Sequence, residues 1–248
     1  MPAKQYKNPP IEEAVCEFTF VAWAPDQQFD FTLPGRLKMH PLMAEYSGQP
    51  RTQNVRTIAA NDPSTVAVQT SLLRVQLPTS DGRHLISIGR NTLAITALRP
   101  YDGWTNFMPR VERALDAFHE IISYAAVTRI GVKYVNRIIV PKAGASATEV
   151  LTEVPAQDKI SETRLSNFTQ FAEFVRTDGV KVLVTQATLQ PNTPNTTEYL
   201  LDIDAIWDHQ VLGSRTEIVA AVERLHDVEG AAFEALITEK ARGLFDAG

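Results

Sequence analysis

The sequence has a single cysteine, Cys16, among its 248 residues. One thiol cannot close a disulfide within the chain, and Cys16 belongs to no CxxC or Cys/His metal spacing, which favours a reducing compartment. No stretch approaches the ~18 uninterrupted apolar residues of a membrane span, and the N-terminal segment lacks the apolar core of a signal peptide. We therefore expect a cytoplasmic protein without a membrane contact.

Recognisable catalytic and nucleotide-binding motifs are also missing. The chain has 12 glycines and contains neither GxGxxG nor GxxxxGKS/T, so a phosphate-binding loop is disfavoured. It has no GxSxG nucleophile motif, and Cys16 lies within a predicted strand, where a buried thiol is inert. The histidines are scattered without HExxH or HxH spacing: His40, His84, His119, His209 and His226. A residue placed like His119 or His226 on a helix is more often structural than catalytic. The sequence predicts no enzyme activity and no cofactor.

The charge of the chain opposes one class of partner. A formal net charge of -5 disfavours sequence-independent attraction to nucleic acid, although a local basic face stays compatible with it. With 44% hydrophobic and 21% charged residues, the composition is that of a folded globular protein.

Alternating apolar residues predict strands in the first half of the chain. Residues 11–23 read as one half-buried strand, with a face formed by Ala14, Cys16, Phe18, Phe20 and Ala22. Residues 33–40 predict a short helix that Pro41 ends, and residues 46–63 are polar and rich in turn residues. Residues 65–98 predict a three-stranded antiparallel meander, and residues 107–124 an amphipathic helix.

The second half repeats this order of elements. It predicts a strand at 129–141, a short helix at 147–154, two strands within 171–189 joined at Asp178-Gly179, a strand at 199–207, and helix at 216–245 with a break near Gly230. The helical matches Val111-Glu-Arg and Val222-Glu-Arg start 111 residues apart, which is consistent with a duplication. We predict an α+β fold of two similar tandem units, 1–126 and 127–248, within one compact body. Each unit has a strand, a short helix, an antiparallel meander and a long helix, and the sheets pack against the long helices.

Several short segments carry a resemblance to a known family. They are Tyr6-Lys-Asn-Pro-Pro-Ile-Glu-Glu-Ala-Val15, Tyr101-Asp-Gly-Trp104, Ile130-Gly-Val-Lys-Tyr-Val-Asn-Arg-Ile138, Leu200-Leu-Asp-Ile-Asp204, Leu225-His226, Phe233-Glu234 and Leu236-Ile237-Thr238. Together they resemble a sporadically distributed prokaryotic family of uncharacterised proteins, whose members carry a segment close to Gly-Leu-Arg-Tyr-Ile-Asn-Arg-Ile. Here Val132 and Lys133 replace its Leu and Arg. The resemblance implies no activity. A patchy distribution is often seen for genes that move with antiphage-defence or toxin modules, so the resemblance suggests such a context by association and not by mechanism.

The strand at 129–141 supplies the first candidate site. Period-two geometry places Arg129, Lys133 and Arg137 on one face, with Gly131 and Val135. Such a face binds an anion or an acidic partner, or is simply solvated and ion-paired, which is the commoner case. The other face carries Tyr134, Asn136 and Ile138, and a buried Asn136 amide must satisfy its hydrogen bonds.

Two further groups have both a functional and a structural interpretation. Asp202 and Asp204 share one strand face, where a DxD pair suits Mg²⁺ or Ca²⁺, but cross-strand pairing with Lys or Arg is the favoured alternative and no metal is expected. Tyr101 and Trp104 precede a helix, where they form a ligand platform or pack around the turn.

Three hypotheses for function follow. The first is a non-enzymatic recognition or regulatory protein that contacts a protein partner or a second copy through its sheet faces or C-terminal helix. The second is a small-ligand or nucleotide sensor with a cleft between sheet and helices, near Lys133, Tyr134, Asn136 and Arg137. The third is a metal-dependent enzyme of unrecognised type that uses Asp202 and Asp204.

Overall fold

The structure is a computed structural model that describes residues 6–21, 30–62, 65–123, 126–155 and 165–246, with backbone alone for residues 54–73. Ala22 and Trp23, at the end of the first predicted strand, lie outside the described residues. Within the described ranges, no helix is both long enough and apolar enough to cross a membrane.

Nine strands in the described ranges form one sheet. They are β1 (Ile11–Phe20), β2 (Arg51–Asp62), β3 (Thr65–Pro78), β4 (His84–Ile88), β5 (Thr92–Leu98), β6 (Val127–Val140), β7 (Thr169–Val175), β8 (Lys181–Leu189) and β9 (Thr197–Trp207). Their order is β2-β3-β4-β5-β1-β6-β9-β8-β7, and neighbouring strands are antiparallel. The predicted α+β class is confirmed.

The two opening strands of the predicted units lie side by side in this sheet. β1 pairs antiparallel with β6, so that Cys16 faces Val132 and Ala14 faces Tyr134. The predicted alternation of β1 is confirmed over its described length, since Ala14, Cys16, Phe18 and Phe20 are buried. One continuous sheet therefore connects residues of both halves of the chain.

The helices are α1 (Leu33–Lys38), α2 (Trp104–Ile122), α3 (Arg215–Leu236) and α4 (Glu239–Asp246). Phe118 of α2 stacks on Phe20 of β1 with ring centroids 4.9 Å apart, and His226 of α3 contacts Tyr134 of β6. Phe20 and Tyr134 belong to the same sheet face, because cross-strand partners share a face and alternate residues return to it. Both long helices therefore cover one face of the sheet.

The predicted amphipathic helix is α2, which begins three residues before the predicted start, at Trp104. Its buried side includes Phe107, Val111, Leu115 and Phe118. Buried residues three and four apart form the apolar stripe that faces the sheet.

The polar segment 46–63 contains an element that the sequence interpretation missed. Residues Arg51–Asp62 form β2, which pairs with β3 from Arg51 opposite Gln76 to Asp62 opposite Thr65. β2 lies at the end of the sheet. An edge strand is held by backbone pairing with its neighbour and tolerates polar side chains, so its sequence lacks the apolar alternation of a central strand.

The predicted helix break near Gly230 is wrong. α3 continues through Gly230 to Leu236, and the interruption comes at Ile237 and Thr238. Ile237 forms a β-bridge with Leu151, and the backbone N–H of Thr238 donates to the carbonyl of Val150 at 3.1 Å. These tertiary contacts pull the chain into an extended conformation, a cause that local sequence does not reveal.

The segment 147–154 also differs from its prediction of a short helix. Its helical part is a single 3-10 turn, Ala147–Glu149, with a capping box between Ser146 and Glu149. The bridge from Leu151 to Ile237 follows at once, so the chain leaves helical geometry to pair with the end of α3.

Candidate functional site

A cavity of about 590 Å³ lies between the helical layer and the sheet. Its walls come from four places in the chain: the segment before β1, the loop that enters α2, the buried face of β6 and one side of α3. This volume is within the ~300–1,000 Å³ typical of small-molecule sites.

Regular geometry brings the polar wall residues together. Tyr134 and Asn136 are two residues apart on β6 and therefore point to the same, helix-covered face. On α3, the lining residues recur at spacings of three and four, which is the repeat of one helix side. These α3 residues are Glu223, His226, Asp227, Glu229, Gly230, Phe233 and Glu234.

An aromatic cluster forms one wall of the cavity. The indole of Trp104 stacks on the imidazole of His226, with centroids 3.9 Å apart and planes inclined by 7°. Trp104 Nε1 donates a hydrogen bond to Glu223 Oε2 at 2.9 Å, which ties the start of α2 to α3. Tyr101 and Trp104 thus pack around the helix start, which is the structural interpretation of the sequence, and both also line the cavity. Their role as a ligand platform stays a prediction.

A short hydrogen-bond chain connects Tyr101, Tyr134 and His226. The two tyrosine hydroxyls are 3.1 Å apart, and the Tyr134 hydroxyl is 3.2 Å from His226 Nδ1. Burial lowers the pKa of His226 to about 4, so the ring is neutral at pH 7. Its Nδ1 and the Tyr134 hydroxyl share one hydrogen bond, whose direction is set by the tautomer of the ring. Burial also raises the pKa of Tyr101 and of Tyr134, which keeps both hydroxyls protonated.

Glu229 is the residue that distinguishes this cavity. Its side chain lies in the wall but is only 5% exposed, and its Oε1 has no hydrogen-bond partner among the described residues. Burial, and then the negative charge of Asp202, raise the pKa of Glu229 well above the ordinary carboxyl range. A buried carboxyl without a partner is unusual because it loses its hydration without replacement.

Sequence reasoning missed Glu229, although a signal was present. Ile218, Val222 and Leu225 form the buried stripe of α3 at helical spacing, and Glu229 occupies the next position of that stripe. An acid where the pattern calls for an apolar residue is a candidate functional group.

Two other acidic residues of the cavity, Asp102 and Glu234, have partners. Asp102 Oδ2 accepts from Arg110 Nη1 at 3.0 Å. Glu234 accepts from the Tyr6 hydroxyl at 2.7 Å and from Arg242 Nε at 2.9 Å. Glu229 therefore differs from them in having neither a cation nor a donor at its Oε1 within the described chain.

No protein-family model, curated protein or solved structure matches this chain. The arrangement of its own residues therefore carries the functional argument.

The six residues singled out from the sequence separate between the two faces of the sheet. Tyr134 and Asn136 line the cavity, and the Asn136 amide is 1% exposed and donates to the carbonyl of Leu201 at 3.1 Å. The other four lie on the opposite face: Lys133, Arg137, Asp202 and Asp204.

Ion pairs cross the strands on that opposite face. Lys133 Nζ is 2.8 Å from Asp202 Oδ2, and Arg129 Nη2 is 3.4 Å from Asp204 Oδ2. Arg137 pairs with Glu198. Both aspartates therefore have the cross-strand cations that were the favoured alternative to a metal, and no group of three or more potential ligands is assembled within the described ranges.

Among these ion-paired residues, Asp204 has the least complete set of partners. Burial raises its pKa to about 6, against the opposing effect of Arg129 and Lys133. Its Oδ1 lacks a hydrogen-bond partner in the described structure. Because Arg129 and Lys133 are already next to it, this oxygen is part of a charge-compensated face and not of an open site.

Proposed function

We propose that this protein binds a small organic ligand, without catalysis, in the cavity between α3, β6 and the start of α2. The observation that carries the proposal is the buried Glu229 carboxyl, whose Oε1 has no partner in the described chain. A group of this kind costs roughly 1–3 kcal/mol of stability when it stays unsatisfied. A ligand that donates a hydrogen bond to it would offset that cost.

The chemistry of the walls supports the same proposal. Small-molecule sites are mostly apolar and aromatic, with a few polar groups that converge on the ligand. Here the aromatic wall is rigid, because Trp104 is held between His226 and Glu223. Asn136 and Glu229 add polar groups from two different elements.

The resemblance to the prokaryotic family involves the same residues. Segments that carry the resemblance contribute Tyr6, Tyr101, Trp104, Tyr134, Asn136, His226, Phe233 and Glu234 to the cavity. Residues far apart in the sequence thus meet at one place, which supports a shared ligand site as the reason for the resemblance. A mobile defence or toxin context stays a proposal on the resemblance alone.

We also propose that the two units arose by duplication. The order β3-β4-β5-β1 on one side of the sheet mirrors β7-β8-β9-β6 on the other, about the β1–β6 pair. Each series ends in a long helix, α2 or α3, that covers the same sheet face. β2 has no counterpart in this scheme.

A thermal-shift screen tests the ligand proposal. We expect compounds from a diverse panel of nucleotides, amines, organic acids and aromatic heterocycles to raise the melting temperature. A ligand at about 100 times its Kd adds about 2.7 kcal/mol, which corresponds to about 5–10 °C for a chain of this size. The shift should disappear in Glu229→Gln and persist in Glu239→Gln, whose carboxyl is exposed and outside the cavity.

A panel without any stabilising compound would count against the proposal. Equal shifts in wild type and Glu229→Gln would show that the compounds bind elsewhere.

A second candidate function, self-association, is supported by the edge strand β7. Its Phe171, Phe174 and Val175 are 63%, 54% and 66% exposed, and β8 is its neighbour on one side. Native proteins usually protect an edge strand from pairing, and this one presents apolar side chains instead. A second copy is the proposed partner, because two identical strands pair antiparallel about a two-fold axis.

Sedimentation velocity tests this second candidate. We expect wild type to dimerise at micromolar concentrations, and the double variant Phe171→Lys/Phe174→Lys to be monomeric. Val211→Lys changes an equally exposed residue (57%) outside β7 and should leave the dimer intact. A wild-type chain that stays monomeric over the full concentration range removes the candidate. The C-terminal helices offer little apolar surface for this role, since Ile218, Leu225 and Phe245 are buried within the chain.

A further inference from the structure

We infer that the ligand of the cavity is an organic cation, an amidinium, guanidinium or ammonium group on a flat apolar body, with its charge against Glu229. This inference rests on the proposed function and names the class of ligand. It follows from the charges of the wall, from the position of the buried Glu229 carboxyl and from the aromatic surfaces around it.

The wall of the cavity has more acidic than basic residues. Among its described residues, five are Asp or Glu and one, Lys7, is basic. Lys7 is exposed, as expected for a residue at the mouth. Two of the acids, Asp102 and Glu234, are compensated by Arg110 and Arg242 on neighbouring elements. Such a wall favours a cation and repels phosphate or carboxylate ligands.

Within the described ranges, no cation is paired with Glu229. The ionisable groups that act on it or that it acts on are Tyr101, Tyr134 and Asp202, and its neighbours on the lining side of α3 are His226 and Asp227. The tyrosines and the histidine are neutral at pH 7, and both aspartates are acids. An ionised Glu229 can therefore be offset only by a charge that enters with the ligand.

The aromatic surfaces of the cavity suit the body of such a ligand. Tyr6, Tyr101, Trp104, Tyr134 and Phe233 all contribute to the wall. A cation near an aromatic face is attracted by the negative face of the ring, and a planar cation also stacks on it. An alkali or alkaline-earth ion would use none of these surfaces, and it requires several oxygen ligands.

Protonation of Glu229 gives the inference a distinctive signature. In the protein alone, burial raises the pKa of Glu229 and holds the carboxyl protonated at pH values where an exposed carboxyl has already ionised. A cation binds the ionised form, so binding must displace this proton, and affinity must increase as pH rises. His226 does not contribute between pH 6 and 8, because its pKa is about 4.

Isothermal titration calorimetry with three nearly isosteric probes tests the inference. Benzamidine is cationic, benzamide is neutral and benzoate is anionic, while their shapes are closely similar. We expect benzamidine to bind at least about tenfold more tightly than benzamide, and benzoate to give no binding. Benzamidine affinity should rise from about pH 6 to about pH 8 with release of a proton to the buffer, since benzamidine itself stays cationic over this range.

Two variants separate Glu229 from the general acidity of the wall. Glu229→Gln keeps the size of the side chain and should reduce benzamidine affinity about tenfold and remove its pH dependence, while benzamide affinity stays similar. Asp227→Asn removes an exposed acid from the same wall and should weaken benzamidine by about threefold or less, with the pH dependence intact.

The outcomes distinguish the inference from the function on which it rests. If benzamide or benzoate binds as tightly as benzamidine and loses affinity in Glu229→Gln, the cavity is a ligand site but its ligand is not a cation. If Glu229→Gln binds benzamidine like wild type, benzamidine binds elsewhere and the inference fails. If none of the three probes binds and the diverse panel yields no Glu229-dependent compound, both proposals are overturned.

Discussion

Arg137→Met is expected to lower the free energy of unfolding by about 3 kcal/mol or more, as measured by chemical denaturation. The partner of Arg137 is Glu198, whose side chain is 0% exposed. Glu198 also accepts hydrogen bonds from the backbone N–H groups of Asn192 and Thr193, at 2.8 and 3.2 Å. Removal of the guanidinium leaves a buried carboxylate without its counter-ion, which is far more costly than the loss of a surface pair.

The control for this variant is Arg176→Met. Arg176 pairs with Asp178 at 3.0 Å, but its side chain is 48% exposed, so we expect a loss below about 1 kcal/mol. The double variant Arg137→Met/Glu198→Gln should recover part of the loss, because it no longer buries a charge. Equal effects of Arg137→Met and Arg176→Met would contradict a structural role for the Arg137–Glu198 pair.

Acid titration provides an independent check of the same pair. Burial by itself raises the pKa of Glu198, but the hydrogen bonds from Arg137, Asn192 and Thr193 outweigh it and hold the pKa below the ordinary carboxyl value. A lowered pKa means that the pair stabilises the fold above the ordinary carboxyl pKa, and that this stability is lost as pH falls through the lowered value. The difference in free energy of unfolding between wild type and Arg137→Met should therefore become smaller in acid.

Glu229→Met is expected to have the opposite sign and to raise the free energy of unfolding by about 1–3 kcal/mol near pH 8. Met has a similar length, favours helix and needs no hydrogen bond, so it removes an unsatisfied buried group and keeps the packing of α3. The same variant should lose all Glu229-dependent ligand binding. A gain in stability together with a loss of binding is typical of residues retained for function.

The pH dependence of this gain has a defined direction. The pKa of Glu229 is raised in the folded state. Ionisation of Glu229 therefore does not lower the free energy of unfolding below the ordinary carboxyl pKa, and it lowers that free energy increasingly as pH rises toward the raised value. The advantage of Glu229→Met should therefore grow from about pH 4 upward. Glu239→Met, at a side chain that is 89% exposed, should change stability by less than about 0.5 kcal/mol at every pH.

A destabilised Glu229→Met protein at pH 8 would indicate that the carboxyl makes a favourable contact in the folded chain. The main evidence for a ligand site in the cavity would then be lost, while the described arrangement of strands and helices would still hold.

Arg137 and Glu229 show how the same type of observation leads to different roles. Arg137 lies on β6 and is half-buried, whereas Glu229 lies on α3 and is buried. Both side chains are ionisable. Arg137 has a buried counter-ion, so its charge is part of the scaffold. Glu229 has none among the described residues, so its ionised form calls for a partner from outside the chain.

Local periodicity was sufficient to predict the central strands and the first long helix. In β1, the alternation of Ala14, Cys16, Phe18 and Phe20 alone identified the buried face, because a strand between two neighbours and under a helix needs an apolar side. In α2, the spacing of Val111, Leu115 and Phe118 identified the side that faces the sheet. These elements are long and their patterns are imposed by burial.

The sequence by itself determined the α+β class, the faces of β1, β6 and β9, and the placement of Tyr134 and Asn136 on the face of β6 opposite Lys133 and Arg137. Only the tertiary structure decided that β2 pairs with β3, that the helix ends at Leu236 and that Glu229 meets the aromatic wall. The physical reason is the range of the interactions involved. Alternation of apolar residues depends on burial within one element and is visible in the local sequence. The pairing of an edge strand, the interruption of a helix and the lack of a partner for a carboxyl depend on contacts with distant segments.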